Sequence, residues 1–205
     1  MISTGQGLLS HNMYIYCLNN YINMYDSTGM KPTFAISTPQ WITNSKAKQK
    51  ETFNNLVNKI EVYKSSLPDY TESLNKILIA NTYEMMEIKE NFGGAVSAIE
   101  FYNSVNHNGR WDYKRAEQWK KDITEPFVPK FIFNGKITTP ADFGNLHYSF
   151  VGMEIGFTPT ILCMGGGYAH GGIRIEMFIP PNYGDLPEDH YMVQYGINLY
   201  NSYFK

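Results

Sequence analysis

Two Thr-Pro pairs in the second half of the chain constrain the fold more than any other feature. In Thr139-Pro140 and in Thr158-Pro159, the Thr suits the N-cap position, where its hydroxyl accepts a hydrogen bond from a backbone N–H of the first turn. Pro suits the first helical position because it has no N–H to leave unpaired. Asp142 adds a favourable negative charge to the first turn. The pairs therefore predict one helix over PADFGNLHYSFVGMEI and another that starts with TILCMGG.

Helical spacing also runs through the first half of the chain. Apolar residues recur every three or four positions in ETFNNLVNKIEVYKS, which predicts an amphipathic helix. A second helix is expected over ESLNKILIANTYEMMEIKENF and a third over AVSAIEFYNSVNHNG, separated by Gly93-Gly94. Asn134-Gly135 lies between two β-prone runs and predicts a hairpin, and Pro187 predicts the start of a last helix. The predicted fold class is mainly α (α+β), a compact helical domain with one small β-hairpin.

The N-terminal part of the chain has a different character. Residues 1–30 lack helical periodicity and are predicted to form an irregular segment of short strands and loops. Residues 31–50 are interpreted as a linker, because Pro32, Pro39 and Ser/Thr clusters precede a run of Lys. The domain proper is assigned to residues 51–205.

Composition excludes several classes of protein. With 43% hydrophobic and 15% aromatic residues the chain can build a real core, and a net charge of −2 indicates neither a nucleic-acid nor a membrane partner by itself. Cys17 and Cys163 cannot form a disulfide framework or a CxxC metal pair. No apolar run reaches the length of a membrane span, and none is ordered like a signal peptide. We therefore expect no membrane segment, no metal and no cofactor, and export by something outside this sequence if the chain acts outside its cell.

The segment STGQGLLSHNMYIYCLNNYINMYDSTG, residues 3–29, resembles the C-terminal end of the Rhs-repeat-associated core. That core commonly ends in N-M-x-x-Y-C-x-N-N-P-x-N-x-x-D-P-x-G. The resemblance implies the end of a β-rich delivery shell, followed by an exchangeable toxin domain. Tyr21 and Ser27 stand where the family has Pro. The Asp-Pro region belongs to the family's self-cleavage site, so these departures leave release of the toxin open.

A second resemblance covers about residues 98–201. The stretches FYNSVNHNGRWDYKR, ADFGNLHYSFVG, GFTP and PEDHYMVQYGINLY resemble the polymorphic toxin type 44 domain, whose recurring words are W-D-x-K, D-F-G-N-x-H-Y-G-x-V-G and D-x-x-x-I-x-x-G. Ser149 stands where the family usually has Gly, and His190 where Gln is expected. The family is regarded as a predicted ribonuclease toxin. The resemblance implies interbacterial competition, RNA as substrate, a cognate immunity protein, and secreted or cell-surface delivery for action in the target-cell cytoplasm.

A metal-independent ribonuclease needs a base for the 2′-hydroxyl, an acid for the leaving oxygen and a cation for the phosphorane. His147, which shares a helix face with Glu154, is predicted to be the base. The acid is His170 or His190, and the cation is Lys114 or Arg174. The predicted catalytic residues are Asp142, Asn145, His147, Tyr148, Glu154 and Asp189; the predicted substrate-binding residues are Trp111, Lys114, His170, Arg174 and His190.

Several of these residues have a structural alternative. Asp142 could act only as a helix cap, Trp111 as core, Lys114 as part of a solvated face, and His147 as a hydrogen-bonded histidine packed beside Tyr148.

The glycine-rich stretch GGGYAHGG, residues 165–172, lacks the Lys-Ser/Thr of a P-loop. Close helix packing followed by a flexible active-site loop explains it better. A zinc site made of His147, His170 and His190 is not expected, because no pair has helix ligand spacing.

The charge distribution supports a different enzyme class. Residues 110–136 carry seven basic and four acidic side chains, whereas residues 139–205 carry two basic and six acidic ones. An acidic second half suits a glycosidase, in which Glu154 or Asp142 with Asp189 would flank a glycosidic bond of peptidoglycan. A third alternative is a silenced, non-catalytic cartridge or a binding module that retains the fold.

Overall fold

The computed structural model describes residues 40–204 and two short strands before them, Met24–Tyr25 (β1) and Thr33–Phe34 (β2). β1 and β2 pair antiparallel, with Met24 opposite Phe34. The predicted Rhs-core segment, residues 1–30, otherwise lies outside the described residues. The chain divides into two units between Val62 and Tyr63, and each unit is described by itself. The predicted start of the domain at residue 51 stays a prediction.

The first described helix, α1, covers Gln40–Ser65. It begins eleven residues before the predicted amphipathic helix, so residues 40–50, interpreted from the sequence as part of a linker, are helical. The reason is local: after Pro39 the sequence has no Pro or Gly until Pro68, and its Ala, Lys and Gln residues favour helix.

Helix α2, Thr71–Val105, contains both of the next two predicted helices. Gly93 interrupts it with non-helical angles, φ 81° and ψ 169°, so the predicted break exists as a kink rather than a loop. Tyr70 is the N-cap of this helix, and Thr71 N donates to Asp69 Oδ1 at 2.9 Å just before it. A short helix that the sequence did not predict, α3, follows at Ala116–Asp122.

The predicted hairpin is confirmed. β3 (Phe131–Phe133) pairs antiparallel with β4 (Lys136–Thr138). Both turn residues have positive φ, 47° for Asn134 and 72° for Gly135, as a type I′ turn requires. Two backbone hydrogen bonds join the strand to the chain before α2, Ile132 N to Pro68 O and Tyr70 N to Ile132 O.

The two Thr-Pro pairs start helices as predicted. In α4, Pro140–Ile155, Thr139 and Asp142 form a reciprocal capping box, and in α5, Pro159–Gly171, Thr158 caps the first turn. A 3-10 turn at Ile175–Phe178 follows, and the last helix, α6, covers Pro187–Phe204.

Helix α4 lies at the centre of the described fold. It packs against α6 and α2, and α6 also packs against α5. The mainly helical fold class with one small hairpin beside these helices is thus confirmed. Among the described residues, no helix combines the length and apolar character needed to cross a membrane.

Candidate active site

Three successive glycines of α5 allow other parts of the chain to approach that helix closely. A Cβ at Gly165 would collide with the Tyr148 hydroxyl, and one at Gly167 with the Tyr183 carbonyl oxygen. At Gly166, a Cβ would lie 2.7 Å from Asp185 Oδ2. The glycine-rich stretch is therefore a helix surface that admits close packing, as predicted, but residues 165–171 are helical and not a loop.

Close packing on α5 brings together an acid–histidine cluster, which we define as His170, Asp185 and Asp189. His170 lies in the last turn of α5, Asp185 just before α6 and Asp189 in the first turn of α6. One ligand-type atom from each lies within 4.8 Å of the other two. His170 is exposed and both carboxylates are partly buried, so the cluster faces solvent on one side. It can exchange protons with a bound molecule.

Two predicted site residues extend this cluster from α4 and from the turn before α3. Asn145 is buried in α4 and donates from Nδ2 to Asp189 Oδ1 at 2.7 Å. Lys114 is exposed, and its stem crosses Gly144, where a Cβ would lie 2.8 Å from Lys114 Cγ. The positive charge of Lys114 is also close enough to stabilise the ionised form of Asp185.

Electrostatics distinguish Asp185 within the cluster. Burial and the nearby negative charge of Asp189 raise the pKa of Asp185, against the lowering effects of the Leu186 N–H, His170 and Lys114. Within the described chain, neither Asp185 nor Asp189 forms an ion pair with a basic side chain. Asp185 is thus the carboxyl group of this cluster that is favoured to hold a proton.

His147, the predicted base, lies in the protein core. It has no exposed surface, and its Nε2 lies 2.8 Å from Asn81 Nδ2. Rings of Trp111 and Tyr113 meet the imidazole edge-on at 5.5 and 4.9 Å. Burial lowers the pKa of His147 to about 3, so the neutral imidazole is the form present near neutral pH. Direct contact with a substrate would require this core to open.

Other predicted residues also lie away from the cluster or serve the fold. Trp111 is buried under the Arg110 guanidinium, and Asp142 is occupied by the α4 capping box. Glu154, at the far end of α4 from Asp142, accepts a hydrogen bond from the Tyr200 hydroxyl at 2.8 Å. His190 is buried and lies 2.8 Å from Gln194 Nε2.

Tyr148 and Arg174 are neighbours of the cluster rather than members. The Tyr148 hydroxyl donates to Leu162 O at 3.1 Å and has a raised pKa because of burial. The Arg174 guanidinium packs across Gly171 and approaches Gly184 O at 3.4 Å. Arg174 therefore links the chain just after His170 to the chain just before Asp185.

Asp185 is the residue of this cluster that was not predicted from the sequence. It is one of several acids just before or at the start of a helix, where capping accounts for a carboxylate without any further role. The signal that could have found it is the triplet Gly165-Gly166-Gly167, because helix glycines in succession indicate that something approaches the backbone.

The acid–histidine cluster has a donor set, one imidazole and two carboxylates, that could hold a divalent cation. This set alone does not assign a metal, because the same groups serve in metal-free acid–base sites. The three histidines of the zinc site considered from the sequence have different surroundings. His147 and His190 are buried beside amide side chains, and only His170 belongs to the acid–histidine cluster.

Together, these observations describe a mainly helical domain with a solvent-facing group of acid, imidazole and ammonium side chains. Residues 100–202, half of the chain, match the model of the family described as bacterial toxin 44. The chain belongs to this family, and this part of it is a bacterial toxin domain. Membership suggests a cognate immunity protein and is consistent with delivery to target cells. No curated protein and no solved structure matches the chain significantly.

Proposed function

We propose that the domain is a ribonuclease toxin and that the acid–histidine cluster with Lys114 is its active site. The observation that carries this proposal is the placement of an accessible imidazole, a carboxyl group with a raised pKa and a nearby ammonium around one point of the surface. These are the base, the acid and the cation that metal-independent RNA cleavage needs. The proposal keeps the predicted chemistry and moves the base from His147 to His170.

The roles follow from exposure and charge. His170 takes the proton of the ribose 2′-hydroxyl, and the resulting oxyanion attacks the adjacent phosphorus. Asp185, whose pKa is raised by burial, acts in its protonated form and gives that proton to the 5′-oxygen as the P–O bond breaks. The products are a 2′,3′-cyclic phosphate and a free 5′-hydroxyl. Lys114 stabilises the negative phosphorane, and Asn145 holds Asp189 beside His170.

The test is cleavage of purified RNA by the full chain without added metal. His170→Ala and Asp185→Asn should each lower the cleavage rate by about 10²- to 10⁴-fold, the usual contribution of a general acid or base. Glu188→Gln, an exposed acid beside Asp189 but outside the cluster, is the matched control and should stay active. Intact RNA after incubation with folded wild-type protein, or full activity of His170→Ala, would overturn the proposal.

A second candidate is a peptidoglycan glycosidase. The specific observation in its favour is the pair Asp185 and Asp189, two nearby carboxyl groups of which one has a raised pKa, as in enzymes that cleave glycosidic bonds with one acid and one carboxylate. This pair replaces the predicted pairing of Asp189 with Asp142 or Glu154, both of which are held by structural partners. Release of reducing sugar from purified peptidoglycan tests it.

The compartment of action separates these candidates from each other and from a silenced cartridge. We infer from the resemblance of residues 3–29 that an Rhs shell delivers the domain and that it acts in the target-cell cytoplasm. Expression in a host without the immunity protein should then arrest growth when the chain stays in the cytoplasm. Arrest only with an added export signal would instead support the glycosidase, and no arrest in either form would support a silenced cartridge.

A further inference from the structure

The two segments that carry the motifs W-D-x-K, residues 111–114, and D-F-G-N-x-H-Y, residues 142–148, pack against each other beside Lys114. Residues 111–114 form a turn whose Trp111 and Tyr113 are buried, whereas Lys114 points outward and is exposed. Both buried rings of this turn pack edge-on against His147 of α4. The imidazole therefore lies directly beneath the turn that presents Lys114.

A buried hydrogen-bond chain holds the turn in place. Asn81 Nδ2 donates one hydrogen to His147 Nε2 at 2.8 Å and the other to the Tyr113 hydroxyl at 2.9 Å. The Tyr113 hydroxyl in turn donates to Asp122 Oδ2 at 2.8 Å. With Asn81 Nδ2 as the donor, Nε2 of a neutral His147 is the acceptor, and Nδ1 of the same ring is buried without a hydrogen-bond partner. Burial lowers its pKa to about 3 and so maintains this neutral form.

The same helix also supplies the surface on which the Lys114 stem lies. Gly144 faces the stem, and a Cβ there would come within 2.8 Å of Lys114 Cγ and 3.3 Å of Lys114 Cε. The bare glycine backbone therefore lets the stem run along α4 toward the acid–histidine cluster, where its charge acts on Asp185. A methyl group at Gly144 would force the stem to lift.

We propose that His147 is a positioning residue and not the base: with Asn81 and Tyr113 it fixes the turn at residues 111–114, and with Gly144 it directs Lys114 toward Asp185. The inference rests on the proposed function only in taking Lys114 as the cation that meets the phosphorane. It gives two residues of the D-F-G-N-x-H-Y word, Gly144 and His147, a common role.

The experiment follows the titration of the Asp185 carboxyl by carbon-13 NMR in the full chain, with Asp185→Asn to assign the signal. Because Lys114 lowers the pKa of Asp185, Lys114→Ala should move the midpoint upward. His147→Leu should move it in the same direction, and the double variant should move it no further than Lys114→Ala alone. Gly144→Ala should behave like His147→Leu, and serves if His147→Leu does not fold. His147→Gln, which keeps an acceptor for Asn81, should restore most of the wild-type midpoint.

The matched control is Val151→Ala, an equally buried substitution in α4 that leaves these contacts intact and should not change the titration. An unchanged midpoint in both His147→Leu and Gly144→Ala, or an equal additional shift in the Lys114→Ala background, would overturn the inference. The titration needs no substrate, so its outcome is independent of whether RNA is cleaved. Where RNA is cleaved, His147→Leu should lower the rate by about tenfold to a hundredfold and keep both limbs of the pH–rate profile, with only the limb that reports Asp185 shifted upward. Loss of one limb of that profile would make His147 the base and contradict the proposal.

Discussion

Helices α4 and α5 begin alike and serve the domain differently. Both start with a capped Thr-Pro pair and both carry a histidine, yet α4 buries twelve of its sixteen residues and α5 only three of its thirteen. His147 of α4 lies in the core, whereas His170 of α5 is exposed at the acid–histidine cluster. The difference teaches that the densest part of the family motif builds the core, while the less distinctive glycine-rich helix carries the exposed histidine that we propose as the base.

Removing a core ring from α4 should have the largest effect. Phe143 has no exposed surface, and its ring packs against those of Tyr113, Trp119 and Phe133 at about 6 Å. Phe143→Ala should lower the free energy of unfolding by about 3–5 kcal/mol, measured by urea denaturation. Ile161→Ala in α5, where the side chain is 50% exposed, should change it by less than about 1 kcal/mol. Equal losses would remove the contrast between the two helices.

The sequence predicted the parts of this contrast that depend on local chemistry. Thr139, Thr158 and the Asn134-Gly135 turn act through hydrogen bonds and dihedral angles within a few residues, so their signals are complete in the chain itself. Helix α3 was missed because its seven residues are too few for a periodic pattern.

The site was only partly predictable for a related reason. The structure brings the candidates Asn145, His170, Asp189 and Lys114 near one another, and their roles stay a prediction. Whether a histidine such as His147 faces a substrate or the core depends on long-range packing. Spacing along a helix gives a shared face and does not say what covers that face.

Filling the glycine surface of α5 should produce the next largest effect. Gly167→Ala places a methyl group against the Tyr183 carbonyl and should displace the segment that carries Asp185. We expect a loss of about 1–3 kcal/mol of unfolding free energy and a loss of RNA cleavage. Gly94→Ala, a helical glycine with no atom within 4 Å of the new methyl group, is the control and should be neutral or stabilising. A stable, active Gly167→Ala protein would contradict the close approach.

His147 should lower the free energy of unfolding in acid. An unfolded His takes up a proton below pH 6.5, but folded His147 does not until about pH 3, so His147 costs stability as the pH falls through this window. Relative to His147→Gln, the wild type should lose about 1 kcal/mol of unfolding free energy between pH 7 and pH 5.5. Parallel pH curves for wild type and His147→Gln would contradict the buried neutral imidazole.

The N-caps of α4 and α5 should differ less in what they contribute to stability. Thr139 donates to Asp142 and accepts from its backbone N–H, whereas Thr158 accepts a single hydrogen bond of 3.3 Å from Ile161 N. Thr139→Ala should cost about 1 kcal/mol and Thr158→Ala a smaller amount, as measured by thermal unfolding. Thr139→Ser keeps the hydroxyl and should recover most of the loss. A larger cost at Thr158 would mean that α5 depends on its cap more than α4 does.

The smallest effect on stability should come from a substitution in the acid–histidine cluster. Burial raises the pKa of Asp185 above its unfolded value of 3.8, so the folded chain binds this proton more tightly and loses that advantage as the pH rises through the folded pKa. Asp185→Asn should therefore raise the melting temperature slightly at pH 7, and this gain should shrink as the pH falls below the folded pKa toward 3.8. A lower melting temperature for Asp185→Asn at pH 7 would mean that the carboxylate stabilises the fold, and α5 would then share the structural role of α4 instead of carrying an active site at the expense of stability.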